Sequence, residues 1–284
     1  MKWQGRRVSG NVEDRRRFGG KGIAMGGGLG GIVIVVLYLL MGGSPDQIMQ
    51  TLQQSGTEST VGTDQPLTAQ KEQDGQFVGV ILAETEDVWG QIFQENGQTY
   101  SEPHLVLFSS QINSACGFAG ASAGPFYCPN DERVYIDLDF FAHMQAQLGA
   151  QGDFALAYVI AHEVGHHVQN QLGTMQHVQS QRDQLSETEY NQLSVRLELQ
   201  ADFLAGIWAH YASRTAGLLD EGDIEEGINA ASAVGDDRIM KQSQGYVVPD
   251  AFTHGSSEQR VRWFLKGYQS GDISQGDTFS SDQL

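Results

Sequence analysis

Only two cysteines occur in 284 residues, Cys116 and Cys128, and no histidine lies close to either in the chain. A thiolate zinc site built on them is therefore disfavoured. Basic residues are scarce too: 17 Lys and Arg stand against 35 Asp and Glu, giving a formal net charge of −18 and a pI near 4.6. So acidic a chain is a poor partner for a phosphate backbone, which argues against nucleic acid. The acidity suits either basic peptides or plain solubility. There is no internal repeat, so solenoid and propeller architectures drop out.

What is present is concentrated in Ala161-His-Glu-Val-Gly-His-His167, at the end of the apolar run Phe154-Ala-Leu-Ala-Tyr-Val-Ile-Ala161. On a helix, His162 and His166 are four residues apart and share a face. Glu163 sits one step round, within reach of a water beside a metal held by the two imidazoles. This is the H-E-x-x-H arrangement of zinc hydrolases, with Glu163 as general base and no role as a ligand. The bland alternative is a buried helix carrying two hydrogen-bonded histidines. Against it, a helix apolar on nearly every side belongs in a core, where two histidines and a carboxylate are costly without partners.

A catalytic zinc needs a third protein ligand and an open position. The extended pattern H-E-x-x-H-x-x-G-x-x-H is excluded, because Gln169 and Leu172 stand where Gly and His are required. The remaining option is a Glu on a later helix, followed four residues on by an acid that braces a ligand histidine. Glu198-Leu-Gln-Ala-Asp202 meets an aspartate at that spacing, whereas Glu187, Glu189, Glu221 and Glu226 meet Asn191, Leu193, Glu225 and Ala230. Apolar neighbours including Leu197, Leu199, Phe203 and Ile207 make it a mostly buried helix rather than a solvated acidic face. Ala201 is small enough to let that helix approach the histidine helix closely. His167 and His177 do not fit ligand geometry.

Taken together, His-Glu-Val-Gly-His and Glu-x-x-Ala-Asp resemble the gluzincin metallopeptidases. Almost the whole chain is similar to a bacterial family of neutral zinc metallopeptidases with one N-terminal membrane span. The similarity includes Lys2-Trp-Gln-Gly-Arg-Arg7, Asn11-Val-Glu-Asp-Arg-Arg16, Gly124-Pro-Phe-Tyr-Cys-Pro129, Val134-Tyr-Ile-Asp-Leu138 and Thr253-His-Gly-Ser-Ser-Glu-Gln-Arg260. The resemblance implies one catalytic Zn²⁺ on His162, His166 and Glu198, with Glu163 as base. The His-x5-Arg segment resembles related membrane gluzincins, where such a histidine lies near the zinc. That implies His254 as a donor to the oxyanion and Arg260 as a supporting residue, against the plainer reading of a loop histidine and a helical arginine.

The first 21 residues carry seven basic and two acidic side chains. Residues 23–41 follow without a charge, and at about 1.5 Å per residue they reach roughly 28 Å, close to the hydrocarbon thickness of a bilayer. Positive charge stays cytoplasmic, so the expectation is a cytoplasmic tail, a retained single span and an extracytoplasmic domain. The competing reading is a cleaved export signal, but no clear A-x-A site follows. Outside the cytoplasm Cys116 and Cys128 are expected to form a disulfide.

Along the rest of the chain, a short helix begins at Ser44 and residues 54–73 read as a linker. Helices are expected over residues 74–95, 187–212, 223–239 and 256–267, and strands over 104–108 and 134–138. Residues 133–139 are either a substrate-pairing edge strand or a core strand. The tail from Ser270 is polar and expected to be disordered.

The fold expected is α+β, a mainly helical zincin-like domain with a small sheet over residues 74–270, preceded by a tail (1–21), a transmembrane helix (22–42) and a juxtamembrane linker (43–73), and followed by a polar tail (271–284). The function expected is hydrolysis of peptide or protein substrates, with Asp202 orienting a ligand histidine. The rival is a metal-stabilised, membrane-anchored binding module without turnover. A cytoplasmic partner for the basic tail is compatible with either.

Overall fold

A computed structural model describes residues 1–16, 67–120, 124–139 and 152–284. The expected membrane span and the helix from Ser44 lie outside them. Among the described residues, no helix is long and apolar enough to cross a membrane. The architecture is α+β and mainly helical, with a small mixed sheet.

The sheet contains strands β1 (Val12–Asp14), β2 (His104–Phe108), β5 (Phe126–Cys128) and β6 (Arg133–Asp137), in the order β1-β2-β6-β5. β1, β2 and β6 run parallel, and β5 is antiparallel to β6. Side chains alternate between faces with the period of two that a pleated strand imposes. Leu105, Leu107, Val134 and Ile136 join the main core, while Val106, Phe108, Cys128 and Tyr135 form a second cluster. That second cluster is covered by Ile112 of a separate hairpin, β3 (Ile112–Ser114) with β4 (Gly117–Ala119). A disulfide joins Cys116, in the hairpin turn, to Cys128, with 5.8 Å between their Cα atoms. β6 lies between two neighbours and is paired on both sides at Arg133–Tyr135, while Ile136 and Asp137 pair with β2. The edge-strand role expected for residues 133–139 therefore does not hold over 133–135, where β5 takes the edge position.

Helix α1 (Ala69–Glu95) begins five residues earlier than expected, because the Thr68 side chain caps the Lys71 N–H. Helix α2 (Asp153–Gln171) is buried from residue 154 to 170. A short α3 (Thr174–Ser180) follows, then α4 (Glu187–Arg214), which opens with a Ser186/Glu189 capping box. The single helix expected over 223–239 is two, α5 (Asp223–Ala233) and α6 (Asp236–Gln244). The chain is extended between them at Gly235, where a Cβ would sit 2.4 Å from the Ser257 backbone nitrogen. Helix α7 (Ser257–Ser270) is capped by Ser256 and crosses α4 through reciprocal glycines. A Cβ at Gly206 would lie 2.1 Å from Phe264 O, and one at Gly267 2.1 Å from Phe203 O. Only hydrogen side chains let the two backbones meet there.

Both chain ends depart from the expectation of free tails. Met1–Arg15 belong to the same compact unit as Thr68–Leu284. Trp3 packs edge-on against Phe77, β1 extends the sheet, and the basic residues meet acids of α1: Arg6 with Glu84, Arg7 with Glu86 and Asp87. The Met1 ammonium lies 3.3–3.5 Å from carboxylates of Asp153, Asp220 and Asp223. The net charge of the first residues thus finds its complement on the domain itself. At the other end, the Arg196 guanidinium donates to the carbonyls of Thr278, Phe279 and Ser281, and Thr278 is fully buried.

Candidate metal centre

Helices α2 and α4 approach closely because Gly165 faces Ala201. A Cβ at Gly165 would meet Ala201 O at 3.0 Å and Ala201 Cα at 3.3 Å. This contact brings His162 and His166 of one helix to Glu198 of the other, with one ligand atom from each lying within 4.8 Å of the others. His162 Nε2 is 3.2 Å from Glu198 Oε2, and His166 Nε2 is 3.4 Å from Glu198 Oε1.

The far side of each ring fixes its tautomer. His162 Nδ1 is 2.9 Å from Asp202 Oδ1, and a carboxylate can only accept, so the proton sits on Nδ1. His166 Nδ1 likewise donates to Gln169 Oε1 at 2.8 Å, and the Gln169 amide nitrogen donates to Leu197 O and Gln200. Both Nε2 lone pairs are left pointing at a carboxylate. Acceptors converging in a buried place need either protons or a cation between them. Two imidazoles and one carboxylate fit zinc, in the number that a catalytic site uses.

Without an ion, protons on the imidazoles take that place. Burial opposes charge on His162, but Asp202 outweighs it and, with Glu198, pushes the ring up to about 10. Burial also opposes the Glu198 charge, yet His166 and His162 hold that carboxyl well below the usual range.

Behind the ligands, the fully buried Asp202 is a hub. Its Oδ1 accepts from the Tyr158 hydroxyl at 2.5 Å, and both oxygens accept from Arg260, at 2.8 Å from Nε and 2.9 Å from Nη2. Burial works to raise the Asp202 carboxyl, but Arg260 and His162 pull it down to about 2. Arg260 is therefore the counter-charge of Asp202, and its Nη2 lies 3.4 Å from His162 Nδ1.

Glu163 is buried at the wall of the cleft above the cluster. Among the described residues, its carboxylate has no hydrogen-bond or ion-pair partner, unlike Glu198 and Asp202. His254 lines the same cleft with a half-exposed side chain. Its Nδ1 is 2.9 Å from Thr253 Oγ1 and 3.4 Å from Asp236 Oδ1. Asp236 Oδ2 accepts the backbone N–H groups of Thr253, His254 and Gly255, at 2.8, 2.7 and 3.0 Å, so one carboxylate shapes the whole loop. The hydrogen bond from Asp236 raises the His254 pKa, and burial opposes it.

His167 is buried and structural. Its Nε2 donates to Ser101 O at 2.6 Å, and Nδ1 accepts from the Tyr127 hydroxyl at 3.0 Å, tying α2 to strand β5. Both ring nitrogens are used, so it cannot be a ligand. His177 is exposed.

Tyr158, Gln169 and Asp236 were not picked out from the sequence. Tyr158 lies four residues before His162 and Gln169 three after His166, so helical spacing could have found both. Asp236 acts across a tertiary contact and left no local signal.

A family profile described as "Putative neutral zinc metallopeptidase" matches residues 1–279. The chain is 46% identical to "Uncharacterized protein YpfJ" of Escherichia coli (strain K12), over 98% of this chain and 99% of that protein. It is also 46% identical to "Uncharacterized protein Rv2575" of Mycobacterium tuberculosis, over 65% of each. No solved structure matches the chain.

Proposed function

The chain belongs to this neutral zinc metallopeptidase family, and from that premise we propose that it hydrolyses peptide bonds with one zinc ion and Glu163 as general base. The observation that carries the reading is the free carboxylate of Glu163 beside the converging His162, His166 and Glu198. A purely structural metal site needs the three ligands but has no use for an unpaired acid in its cleft, and this separates the enzyme from a binding module without turnover.

Zinc, when bound, polarises a carbonyl and lowers the pKa of water. Each protein group then has a task set by its position. Glu163 takes the proton of the attacking water and delivers it to the leaving amine. Asp202 and Gln169 keep the ligand histidines in the tautomer that presents Nε2. His254, whose protonated form Asp236 favours, donates to the oxygen on which negative charge develops. The outer edge of β5 gives an extended substrate backbone a place to pair, since Phe126 and Tyr127 line the cleft together with Gly124, Pro125 and Pro129.

The disulfide supports an extracytoplasmic location for the domain. The experiment is a zinc analysis of the parent and of Glu163→Gln, followed by digestion of an unfolded protein by both. Equal zinc and a loss of roughly 10²–10⁴-fold in cleavage by the variant is the expected result. Undiminished cleavage by Glu163→Gln would reject the mechanism, and a parent that holds zinc but cleaves nothing across a broad peptide set would favour the binding module.

A further inference from the structure

Among the described residues, seven large apolar side chains are exposed, and four of them lie close together in the chain: Ile239 at 42%, Tyr246 at 63%, Val247 at 39% and Val248 at 38%. Every residue from Lys241 to Ala251 is exposed, so this stretch is an arm that contributes nothing to the core. It has a defined path all the same. Gly245, in the left-handed conformation, stops α6 and redirects the chain. Val248 is extended, with φ −123° and ψ 93°, and one turn of 3₁₀ helix follows over Pro249–Ala251. The arm is held at its far end, where Asn191 Nδ2 of α4 donates to Asp250 O at 3.2 Å and Asp236 Oδ2 fixes the loop that follows.

The arm is continuous with the cleft. Ile239 before it and His254 after it both line the cleft, as does Tyr190, the neighbour of Asn191. The backbone of the arm indicates what form of partner it suits. Among the described residues, the N–H groups of Tyr246, Val247 and Val248 and the carbonyl of Val247 have no protein partner. Tyrosine and valine favour strands, and unpaired backbone groups next to such side chains suit an added extended segment. Charge argues against a lipid surface as the occupant. The arm carries only Lys241 and Asp250, on a chain of net charge −18, which gives anionic headgroups no attraction.

We propose that residues 241–251 are a docking site for the substrate polypeptide outside the cleft. An extended segment of the substrate pairs with the backbone of Tyr246–Val248 and covers the side chains of Tyr246 and Val248 with apolar side chains of its own. The proposal rests on the metallopeptidase reading and adds the substrate class to it: unfolded proteins with an apolar stretch remote from the scissile bond, in preference to short peptides. It gives a role to an arm that the core does not need.

The test uses the full chain loaded with zinc, the double variant Tyr246→Ser with Val248→Ser, and two probes: reduced, carboxymethylated lysozyme and a library of quenched tetrapeptides. Both positions are exposed, so the variant should keep the zinc content and unfolding midpoint of the parent. Should it fail to fold, Tyr246→Ser alone serves. Losing a tyrosine anchor at an interface costs about tenfold or more, so KM for the unfolded protein should rise by at least that factor at unchanged kcat. For the tetrapeptides, which occupy the cleft alone, kcat/KM should stay the same. An unchanged KM for the protein overturns the docking site and leaves the metal centre standing, and so does an equal loss on both probes. If the variant keeps its cleavage of the protein but dissociates a dimer of the parent, or releases it from anionic vesicles, a second copy or a membrane is the occupant and the proposal fails. A parent that takes up no zinc, or that cleaves neither probe, overturns the metallopeptidase reading and the substrate as occupant with it.

Discussion

The Arg260 guanidinium grips both oxygens of Asp202, its Nη2 meeting the same Oδ1 that His162 Nδ1 meets, so one aspartate receives a helix-borne cation and a histidine of the cluster at once. Removing the charge of Asp202 leaves Arg260 buried without its partner. Asp202→Asn is expected to cost about 3–5 kcal/mol in urea unfolding and to lower zinc affinity by roughly 10–100-fold, because the His162 ring loses the acceptor that orients it. The sign with pH also follows. The Asp202 carboxyl is held at about 2, below its ordinary value, so its contribution is complete above the ordinary aspartate range and disappears as pH falls toward 2. Acid unfolding of the zinc-free parent and the variant, followed by circular dichroism, measures this.

His254 depends on Asp236 in a different way. Its pKa is raised, so the protonated, donating form persists to higher pH than in a free histidine, and activity is lost as pH rises through the raised value. In Asp236→Asn the alkaline limb of kcat/KM should move to lower pH. A profile that keeps its alkaline limb in place would remove His254 from the proposed mechanism.

Gly165 sets the separation of the two metal-binding helices. Gly165→Val places methyl groups where Ala201 O already lies 3.0 Å from a Cβ, and overpacking of this kind costs about 1–3 kcal/mol. The expected reading is at least a tenfold loss of zinc affinity with little change in helix content, measured by competition with a chromogenic chelator.

Much of this centre was legible in the chain. The spacing of His162, His166, Glu198 and Asp202 follows from helix periodicity alone, and the small residue needed for the helix approach is visible in Ala201. The helix that carries the histidines is announced by the unbroken apolar run of residues 154–161 that leads into it. What was not legible depends on distant partners. Strand β6 alternates as an edge strand would, but whether a strand is an edge is decided by its neighbours, here β2 and β5. The break at Gly235 is invisible without Ser257, against which the chain packs. The polar C-terminal residues look disordered until Arg196 supplies the donors that their carbonyls accept. The first residues look like a free basic tail because their acids lie on α1, more than 70 positions away.

Cys116 and Cys128 close a short loop across the hairpin beside β5, for which chain-entropy arguments give about 3 kcal/mol. Cys116→Ser with Cys128→Ser should lower the unfolding midpoint in urea correspondingly, and a reductant should lower the parent to the same value. Agreement of the two values would show that the bond, and not the substituted side chains, carries the effect.

The integration of residues 1–16 with the domain predicts a shared compartment. Gly10 and Gln91 are both exposed, one in the N-terminal segment and the other on α1. In intact cells, Gly10→Cys and Gln91→Cys should react alike with a membrane-impermeant maleimide. Reaction at position 91 with protection at position 10 would show that the segment is not packed this way in the cell.

Arg260 lies 98 positions after His162, and 58 after Asp202, yet it holds the acid that orients the first ligand. During synthesis the two histidines leave the ribosome long before the arginine that completes their support. A nascent chain halted before residue 254 would carry the H-E-x-x-H helix without the counter-charge of Asp202 and without His254. On the proposed mechanism, hydrolytic competence is thus deferred to the last stages of translation, and a prematurely terminated product is disarmed by its own topology.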